Sequence, residues 1–228
     1  EIALYSEPGQ IETLCGSCAA IALFIRASDS PNLGGGYQYP ITNAAAVFAT
    51  VLAPDTRRTV WRNVVAADTL AEAGLVPDDG SEWPSWLAGY ERDDRVDRAS
   101  LGYLRGWFWQ PVRIELVWDT DRVCDLCGAE APHVATGYRS EKFRLDLSGV
   151  WPHPSTFAAK TGTAARARVG GSLGWAADRL RDGTGPLTVR QWRHLACDEP
   201  FDVALRGYGT NQALVRELQL SEVRLGGD

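Results

Sequence analysis

The stretch at residues 14–24, "LCGSCAAIALF", places two cysteines three residues apart, directly before an apolar run. A second pair with the same spacing, Cys124 and Cys127, occurs in "CDLCG". Two thiolates at this spacing can face the same tetrahedral metal ion across a tight turn. The two pairs therefore predict a structural Zn²⁺ site with four ligands, Cys15, Cys18, Cys124 and Cys127, that ties the amino-terminal loop to a central hairpin.

Two other interpretations of the cysteines stay open at this point. A thioredoxin-like redox pair needs a single Cys-x-x-Cys motif at a strand–helix junction, and it leaves the second pair unexplained. Inert packing is the other alternative, because the pairs are separated by far more residues than in a compact zinc ribbon. Cys197 stands alone, and we predict that it is a small buried hydrophobic residue.

Composition indicates an ordinary folded protein. Hydrophobic residues make up 45% and charged residues 23% of the 228 positions, and no apolar run is long enough to span a bilayer. We expect a cytoplasmic protein without membrane contact. The chain starts at Glu1 and contains no Met, so we expect a fragment of a longer polypeptide. The net charge of −6 argues against a free-standing nucleic-acid-binding protein, which would carry a basic surface.

Hydrophobic periodicity predicts an α+β fold, a mixed globular domain with short sheets and several helices. Alternation predicts strands at 112–118 and at 141–147, with Lys142 facing outward on the second, and a tight turn at 124–128 between them. Residues 32–37, with three consecutive glycines, predict a loop, and residues 76–98 a long surface excursion. Helices are predicted at 19–28 (buried), 54–74 (amphipathic, with Val60 and Val64 on its apolar face), 173–182, 189–196 and 212–220.

The sequence contains no convincing catalytic set. Gly170 to Gly174 match the G-x-S-x-G pattern of a hydrolase nucleophile, but Ser172 is better explained as a helix N-cap, and His194 follows too closely for a triad. His153 lies between two prolines, and we expect it to pack on Trp151. The glycine-rich loop lacks the Lys-Ser/Thr of a phosphate-binding loop. We therefore predict that the protein is not an enzyme.

Seven motifs then occur in one order: "LCGSCAAIALF", "GGGY", "RGWFWQPVRIEL", "CDLCG", "GYRSEKF", "GVWPHP" and "GYGTNQA". In this order they resemble the CasA family, the large subunit of the type I-E CRISPR surveillance complex Cascade. The resemblance implies a non-enzymatic subunit that recognises the protospacer-adjacent motif (PAM) of DNA and initiates strand separation. Residues 1–228 would be a single α+β domain, the PAM-recognition part of a longer subunit whose C-terminal four-helix bundle is absent here.

The resemblance also implies partners and site residues. The partners are double-stranded target DNA at the PAM, guide RNA, the other Cascade subunits and a helicase–nuclease recruited after target binding. The four cysteines match the family's zinc ligands, and residues 4–12 match a mobile loop. Asn32 departs from the family pattern, which has a glycine there. The residues implied to contact DNA are Gly35 in the glycine loop, Lys142 in the minor groove, and Asn211, Gln212 and Ala213 in a hairpin.

The residue types agree with this implication. A triglycine segment lets backbone amides approach a narrow minor groove, where the code of donors and acceptors mainly separates A·T from G·C pairs. We therefore expect tolerance of several PAM variants. Read without the resemblance, Lys142 is a solvated surface lysine and Gln212 a polar residue at a helix start. The alternative function is a zinc-stabilised protein-interaction module without direct nucleic-acid contact.

Overall fold

The computed structural model describes residues 9–28, 41–42, 46–75, 83–88, 90–109, 113–142, 144–158, 165–197, 199–211 and 214–226. Within these residues the chain is a mixed α+β structure, which confirms the predicted class. None of the described helices is both long and apolar enough to cross a bilayer. The elements in chain order are β1 (Leu14–Cys15), α1 (Gly16–Ser28), β2 (Phe48–Val51), α2 (Thr56–Arg62), α3 (Ala67–Glu72), α4 (Ser85–Ala88), β3 (Arg95–Asp97), a 3₁₀ helix (Arg98–Ser100), α5 (Tyr103–Trp107), β4 (Ile114–Val123), β5 (Glu130–Ser140), β6 (Asp146–Ser148), α6 (Gly174–Arg181), α7 (Leu187–Leu195), β7 (Phe201–Asn211) and β8 (Leu214–Leu225).

The first sheet has the order β1-β5-β4 and is antiparallel throughout. β4 and β5 form a hairpin around the turn predicted at 124–128, but its second strand is Glu130–Ser140 and not the predicted 141–147. β1 pairs with the other edge of β5, with Cys15 opposite Val134. The alternation predicted from residue 112 holds at Ile114 and Leu116, which are half-buried. Trp118, the next residue of the predicted inward series, is exposed, so that part of the prediction is wrong. The register shifts between Val117 and Trp118 because β5 carries an extra residue, Thr136, at this point.

The second sheet has the order β2-β7-β8 and carries the larger hydrophobic core. Alternate residues of β7, among them Phe201, Val203 and Leu205, point into this core and are buried. α6 and α7 cover the same face with Ala176, Leu180 and Val189. The buried face of β7, which has period-two alternation, and the apolar faces of the two helices thus pack together in one core.

A second core lies around Trp109 and Trp151, beside a small parallel sheet made by β3 and β6. Gly106 of α5 lies directly against the Trp151 indole. A Cβ atom at position 106 would be only 2.0 Å from Trp151 Cε2, so the position has no room for a side chain. The His153 ring packs on Trp151 and on Trp107. Its centroid lies 5.5 Å from the ring centroid of Trp151 and 4.4 Å from that of Trp107. The expected packing of His153 on Trp151 is confirmed.

Three of the five helix predictions, those at 212–220, 19–28 and 54–74, differ from the structure. Helices at 173–182 and 189–196 are confirmed as α6 and α7, but the predicted helix at 212–220 is wrong, because Leu214–Leu225 form strand β8. Leucine and charged residues favour a helix there, and pairing along the length of β7 overrides that preference. α1 is a helix as predicted, but it is only partly buried: Ile21 and Ile25 are exposed.

The predicted helix at 54–74 is two short helices, α2 and α3, and its expected apolar residues Val60 and Val64 are exposed. Asn63 explains the break. Its side chain accepts a hydrogen bond from Val51 N (2.9 Å) and donates to Val51 O (2.8 Å), both on the edge of β2. The chain therefore leaves the helix where this side chain satisfies the strand edge.

The remaining surface predictions also need correction. In the region predicted as an excursion at 76–98, the described part contains α4 and β3, and Val96 is buried. The strand predicted at 141–147 is reduced to β6, so Lys142 precedes the strand instead of lying on it. Cys197 is exposed and has φ of 46°, so the prediction of a buried residue is wrong.

Candidate functional site

The four cysteines of the two Cys-x-x-Cys motifs come together. Cys15 ends β1, Cys18 lies in the first turn of α1, and Cys124 and Cys127 lie in the connection between β4 and β5. Their sulfur atoms all lie within 4.8 Å of one another, and Cys15 Sγ is 3.8 Å from Cys127 Sγ. In a tetrahedral four-thiolate site with metal–sulfur bonds of about 2.3 Å, two ligand sulfurs lie about 3.8 Å apart. The cluster is therefore compatible with one tetrahedral metal ion.

Backbone geometry in the β4–β5 connection places the second pair of sulfurs. Cys124 N donates to Ala129 O (2.9 Å), and Gly128 N donates to Cys124 O (2.8 Å). Gly128 has φ of 73°, in the left-handed region that glycine adopts without strain. This closes a tight turn, as predicted at 124–128, with both cysteines on it.

Asp125, between these two cysteines, ties the amino-terminal segment to the turn. Its Oδ2 accepts hydrogen bonds from Glu12 N (2.8 Å) and Thr13 N (2.7 Å), and its own N–H donates to Thr13 O (2.9 Å). Thr13 Oγ1 adds a hydrogen bond to Val123 O (2.7 Å). The hydrogen bonds from the amides of Glu12 and Thr13 lower the pKa of Asp125 below its usual value, because they stabilise the carboxylate.

The thiols affect one another's protonation. The hydrogen bond with Cys15 raises the pKa of Cys18 to about 12, whereas backbone hydrogen bonds from Cys15 and Cys127 lower the pKa of Cys124 to about 6. Four sulfurs at this spacing cannot all be negatively charged without a cation among them. A divalent ion would supply that charge and favour the thiolate form of all four. Four protein ligands leave no open coordination position, so the centre would be structural.

Lys142 is exposed and lies between the end of β5 and β6. Its backbone oxygen accepts a hydrogen bond from Arg92 Nη2 (2.9 Å), and the same guanidinium forms an ion pair with Glu141 (3.2 Å). The other carboxylate oxygen of Glu141 lies 3.7 Å from Arg113 Nη1. Arg92 and Arg113 therefore engage the carboxylate of the preceding residue, and Arg92 also holds the backbone from which the Lys142 side chain extends.

The other residues implied to contact DNA belong mostly to segments that the structure leaves undescribed. Asn211 is the last residue of β7, is exposed, and pairs with Leu214 at the start of β8. Gly35, Gln212 and Ala213 lie outside the described residues, as does the glycine loop at 32–37. Their proximity to Lys142 stays a prediction.

Ser172 and His153 take part in turn and packing contacts in the structure. Ser172 Oγ accepts a hydrogen bond from Gly174 N (3.4 Å), but the N-cap of α6 is Leu173, so the prediction of Ser172 as the N-cap is wrong by one residue. His153 is buried, and its Nδ1 accepts a hydrogen bond from Ser155 N (3.1 Å). Burial, followed by the charge of Arg206, lowers the pKa of His153 to about 3, so its imidazole is neutral. A neutral, enclosed imidazole is a packing residue.

Sequence reasoning missed Asp125 and Arg92, which hold the two candidate sites in place. Asp125 could have been found, since an aspartate within a turn commonly accepts hydrogen bonds from nearby backbone amides. Arg92 could not, because nothing in the sequence indicates that it meets residues 141 and 142, about fifty positions further along the chain.

Comparison with known proteins places this chain among the CRISPR-associated proteins. Residues 3–225 match the family described as CRISPR-associated protein Cse1, and the chain belongs to that family. The match covers nearly the whole chain and includes both cysteine pairs.

Solved structures from Thermus thermophilus share the fold. A CRISPR-associated protein of this organism is 13% identical with a TM-score of 0.57, covering 95% of this chain and 47% of that one. CasA of the same organism is 13% identical with a TM-score of 0.55, and the match covers 94% of this chain and 46% of that chain. A further structure, of Thermus thermophilus CasA (Cse1), is 12% identical with a TM-score of 0.53, and the match covers 93% of this chain and 48% of that chain. The resemblance to the CasA family is thereby confirmed, and this chain spans about half the length of these structures.

Proposed function

We propose that this chain is the DNA-contacting part of a large subunit of the type I-E CRISPR surveillance complex Cascade. In this role it recognises the PAM through the DNA minor groove and initiates separation of the target strands, without enzymatic activity. The observation that carries the proposal is the Cse1 family match, which spans all of the candidate DNA-contacting positions. The proposed partners are target DNA, guide RNA, the other Cascade subunits and a recruited helicase–nuclease, in the cytoplasm. Residues 1–228 would form one domain of a longer subunit.

The position of Lys142 supports minor-groove contact. The side chain is exposed, and the backbone beneath it is held by Arg92. Because both oxygens of Glu141 face arginines, that neighbouring carboxylate is engaged elsewhere. An ammonium group presented in this way can donate to the acceptors on the minor-groove floor, which A·T and T·A pairs share. This chemistry fits recognition of a group of related PAM sequences.

The β7–β8 hairpin supports the strand-separation step. Asn211 ends β7 at the far end of a long antiparallel pair whose opposite end is packed in the larger core. A hairpin anchored in this way can press the residues that follow Asn211, which are Gln212 and Ala213, against a base step. Unstacking one step costs a few kcal/mol, and pairing between guide and target offsets the lost duplex at about 1.4 kcal/mol per step.

The test uses the assembled complex carrying the full-length subunit with Lys142→Ala. Affinity for a duplex target with its PAM should fall about tenfold, as expected for loss of one base contact, while affinity for the same target with a scrambled PAM stays unchanged. Arg181→Ala is the matched control, because it removes one exposed positive charge from α6. Equal affinity of the Lys142→Ala and wild-type complexes for the PAM-bearing target would contradict this site.

We propose in addition that the ion held by Cys15, Cys18, Cys124 and Cys127 is structural Zn²⁺, since four thiolates in a tetrahedral arrangement favour this metal. Elemental analysis of the purified protein should give one zinc per chain. Cys124→Ser should lose it, whereas Cys197→Ser, outside the cluster, should retain it. A full equivalent of zinc in Cys124→Ser would contradict a site shared by both cysteine pairs.

The second candidate function, a zinc-stabilised protein-interaction module, is favoured by the exposed Ile21 and Ile25 on α1. A photo-crosslinker at Asn211 and at Lys142 in the assembled complex separates the two functions. The PAM-recognition function requires crosslinks to target DNA from both positions. The interaction module requires crosslinks to protein alone.

A further inference from the structure

The half of the β7–β8 hairpin that ends at Asn211 has fewer strand neighbours than the half that begins at Phe201. β2 pairs with β7 only between Val203 and Arg206, whereas β7 continues to Asn211. Among the described residues, β7 beyond Arg206 therefore has β8 as its strand neighbour and is no longer paired with β2. A two-stranded ribbon is marginally stable by itself, so the direction of its end depends on what else it contacts.

Gly207 packs against Val47 and Ala167, and nearer the hairpin end a turn at residues 168–171 makes a further contact. Gln219 Nε2, on β8, donates to Arg168 O (2.7 Å) and to Gly171 O (3.1 Å). Glu217 Oε1, two residues nearer the hairpin end, accepts a hydrogen bond from Gly170 N (2.9 Å). Gln219 Nε2 also lies within hydrogen-bond distance of Glu217 Oε1, so its two hydrogens are shared among three acceptors and the two side chains form one connected group. Three backbone groups of the turn are thereby bound to β8.

Glycine makes this arrangement sterically possible. Gly209 lies opposite Glu217 in the antiparallel register, and a Cβ atom at position 209 would be 2.6 Å from Glu217 Cγ. The Glu217 side chain can cross the face of β7 because no side chain stands there. The register shifts directly after this pair, between Gly209 and Thr210, and a shift of this kind bends a strand. On the turn, Gly170 has φ of 69°, which glycine adopts readily.

We infer that Glu217 and Gln219 are positioning residues that fix the end of the β7–β8 hairpin against the Gly170–Gly171 turn. Gly170 and Gly171, which match part of the G-x-S-x-G pattern, would then serve to hold the hairpin through their backbone groups. This inference rests on the proposed function, in which the hairpin end opens DNA beside the PAM. A hairpin end held in one direction can transmit force to a base step, whereas one that swings loses this capacity while the subunit stays folded.

The test compares two targets on the assembled complex carrying the full-length subunit. One is a PAM-bearing duplex, and the other has the same PAM followed by mismatched, already open base pairs. Glu217→Ala should open the duplex target about tenfold more slowly, the effect expected when a hydrogen bond to a charged group is lost. The pre-opened target should bind at the wild-type rate. Glu217→Gln, which keeps an acceptor for Gly170 N, should restore duplex opening to near the wild-type rate.

Two comparison variants separate the possible failures. Glu222→Ala, an exposed position nearer the core end of the same strand, should open both targets at the wild-type rate. Gln212→Ala should show the duplex-specific defect if the hairpin end opens DNA, and its absence would overturn the proposed role of the hairpin together with this inference. A defect in Gln212→Ala but not in Glu217→Ala overturns the inference alone. Equal losses on both targets in Glu217→Ala also overturn it, because they indicate a structural role.

Discussion

Protonation of His153 should destabilise the fold as the pH falls. Its imidazole is buried, and burial together with the charge of Arg206 lowers its pKa to about 3 from the ordinary value of 6.5. The unfolded chain therefore binds a proton that the folded chain does not bind anywhere between these two values. The stability contributed by the neutral imidazole is fully present above pH 6.5 and is lost as the pH falls toward 3.

The magnitude follows from that interval. At pH 5 the unfolded-state imidazole is 1.5 pH units below its pKa, and each unit corresponds to 1.36 kcal/mol, so this residue lowers the free energy of unfolding by about 2 kcal/mol relative to neutral pH. The contacts explain why the protein cannot avoid the loss: the ring lies 4.4 Å from Trp107 and 5.2 Å from Phe48, centroid to centroid. Neither aromatic ring can solvate an imidazolium as water does.

The assay is urea unfolding of wild type and His153→Asn at several pH values between 5 and 8. Asparagine keeps an oxygen near the position of Nδ1, which accepts from Ser155 N, but it does not titrate in this range. Because release of an ion held by the four cysteines would also depend on pH, the quantity to compare is the difference in free energy of unfolding between the two proteins at each pH. That difference should shrink by about 2 kcal/mol from pH 8 to pH 5, and a difference that stays constant would show that His153 is not held neutral in the folded protein.

Three further predictions follow from single contacts. Gly106→Ala should lower the free energy of unfolding by about 1–3 kcal/mol, because the new methyl group overlaps the buried Trp151 indole, and urea unfolding beside Gly137→Ala, where the nearest atom is 4.0 Å away, checks this. Leu205→Ala should cost about 2–5 kcal/mol in the same assay, since this fully buried side chain leaves a cavity in the larger core. Asp125→Ala should weaken metal retention about tenfold in a chelator competition, because Asp125 holds the segment before Cys15 to the turn, and unchanged retention would contradict that role.

The metal-ligand cluster could be predicted from the sequence because its information is local. Each Cys-x-x-Cys pair fixes its own geometry through a tight turn, so the remaining question was only whether the two pairs meet. The antiparallel pairing of β1 with β5 brings them together, and no residue near Cys15 indicates that strand partner. The ligand residues could therefore be predicted, because a local motif contains them. The contact that brings the two distant motifs together could not.

Strand β8 shows the opposite case. Its leucines and charged residues are good helix formers, and the sequence considered alone favours a helix. The strand forms because β7, with strictly alternating burial, offers a long partner whose core face is completed by Val223 and Leu225. The break of the predicted helix at Asn63 has the same origin, since its side chain bonds to an edge strand. Local propensity fails where a distant strand supplies the better hydrogen-bonding partner.

The two candidate sites lie toward opposite ends of the same hairpin, and this limits how one can affect the other. The cysteine-bearing turn precedes Glu130 at one end of β5, and Lys142 follows Ser140 at the other. At about 3.4 Å per residue, the strand separates the two ends by about 34 Å. Arg92 and Glu141 hold the Lys142 end through contacts that involve no cysteine. Removal of an ion bound by the four cysteines would therefore release β1 and the segment that Asp125 binds before it affected the position of Lys142.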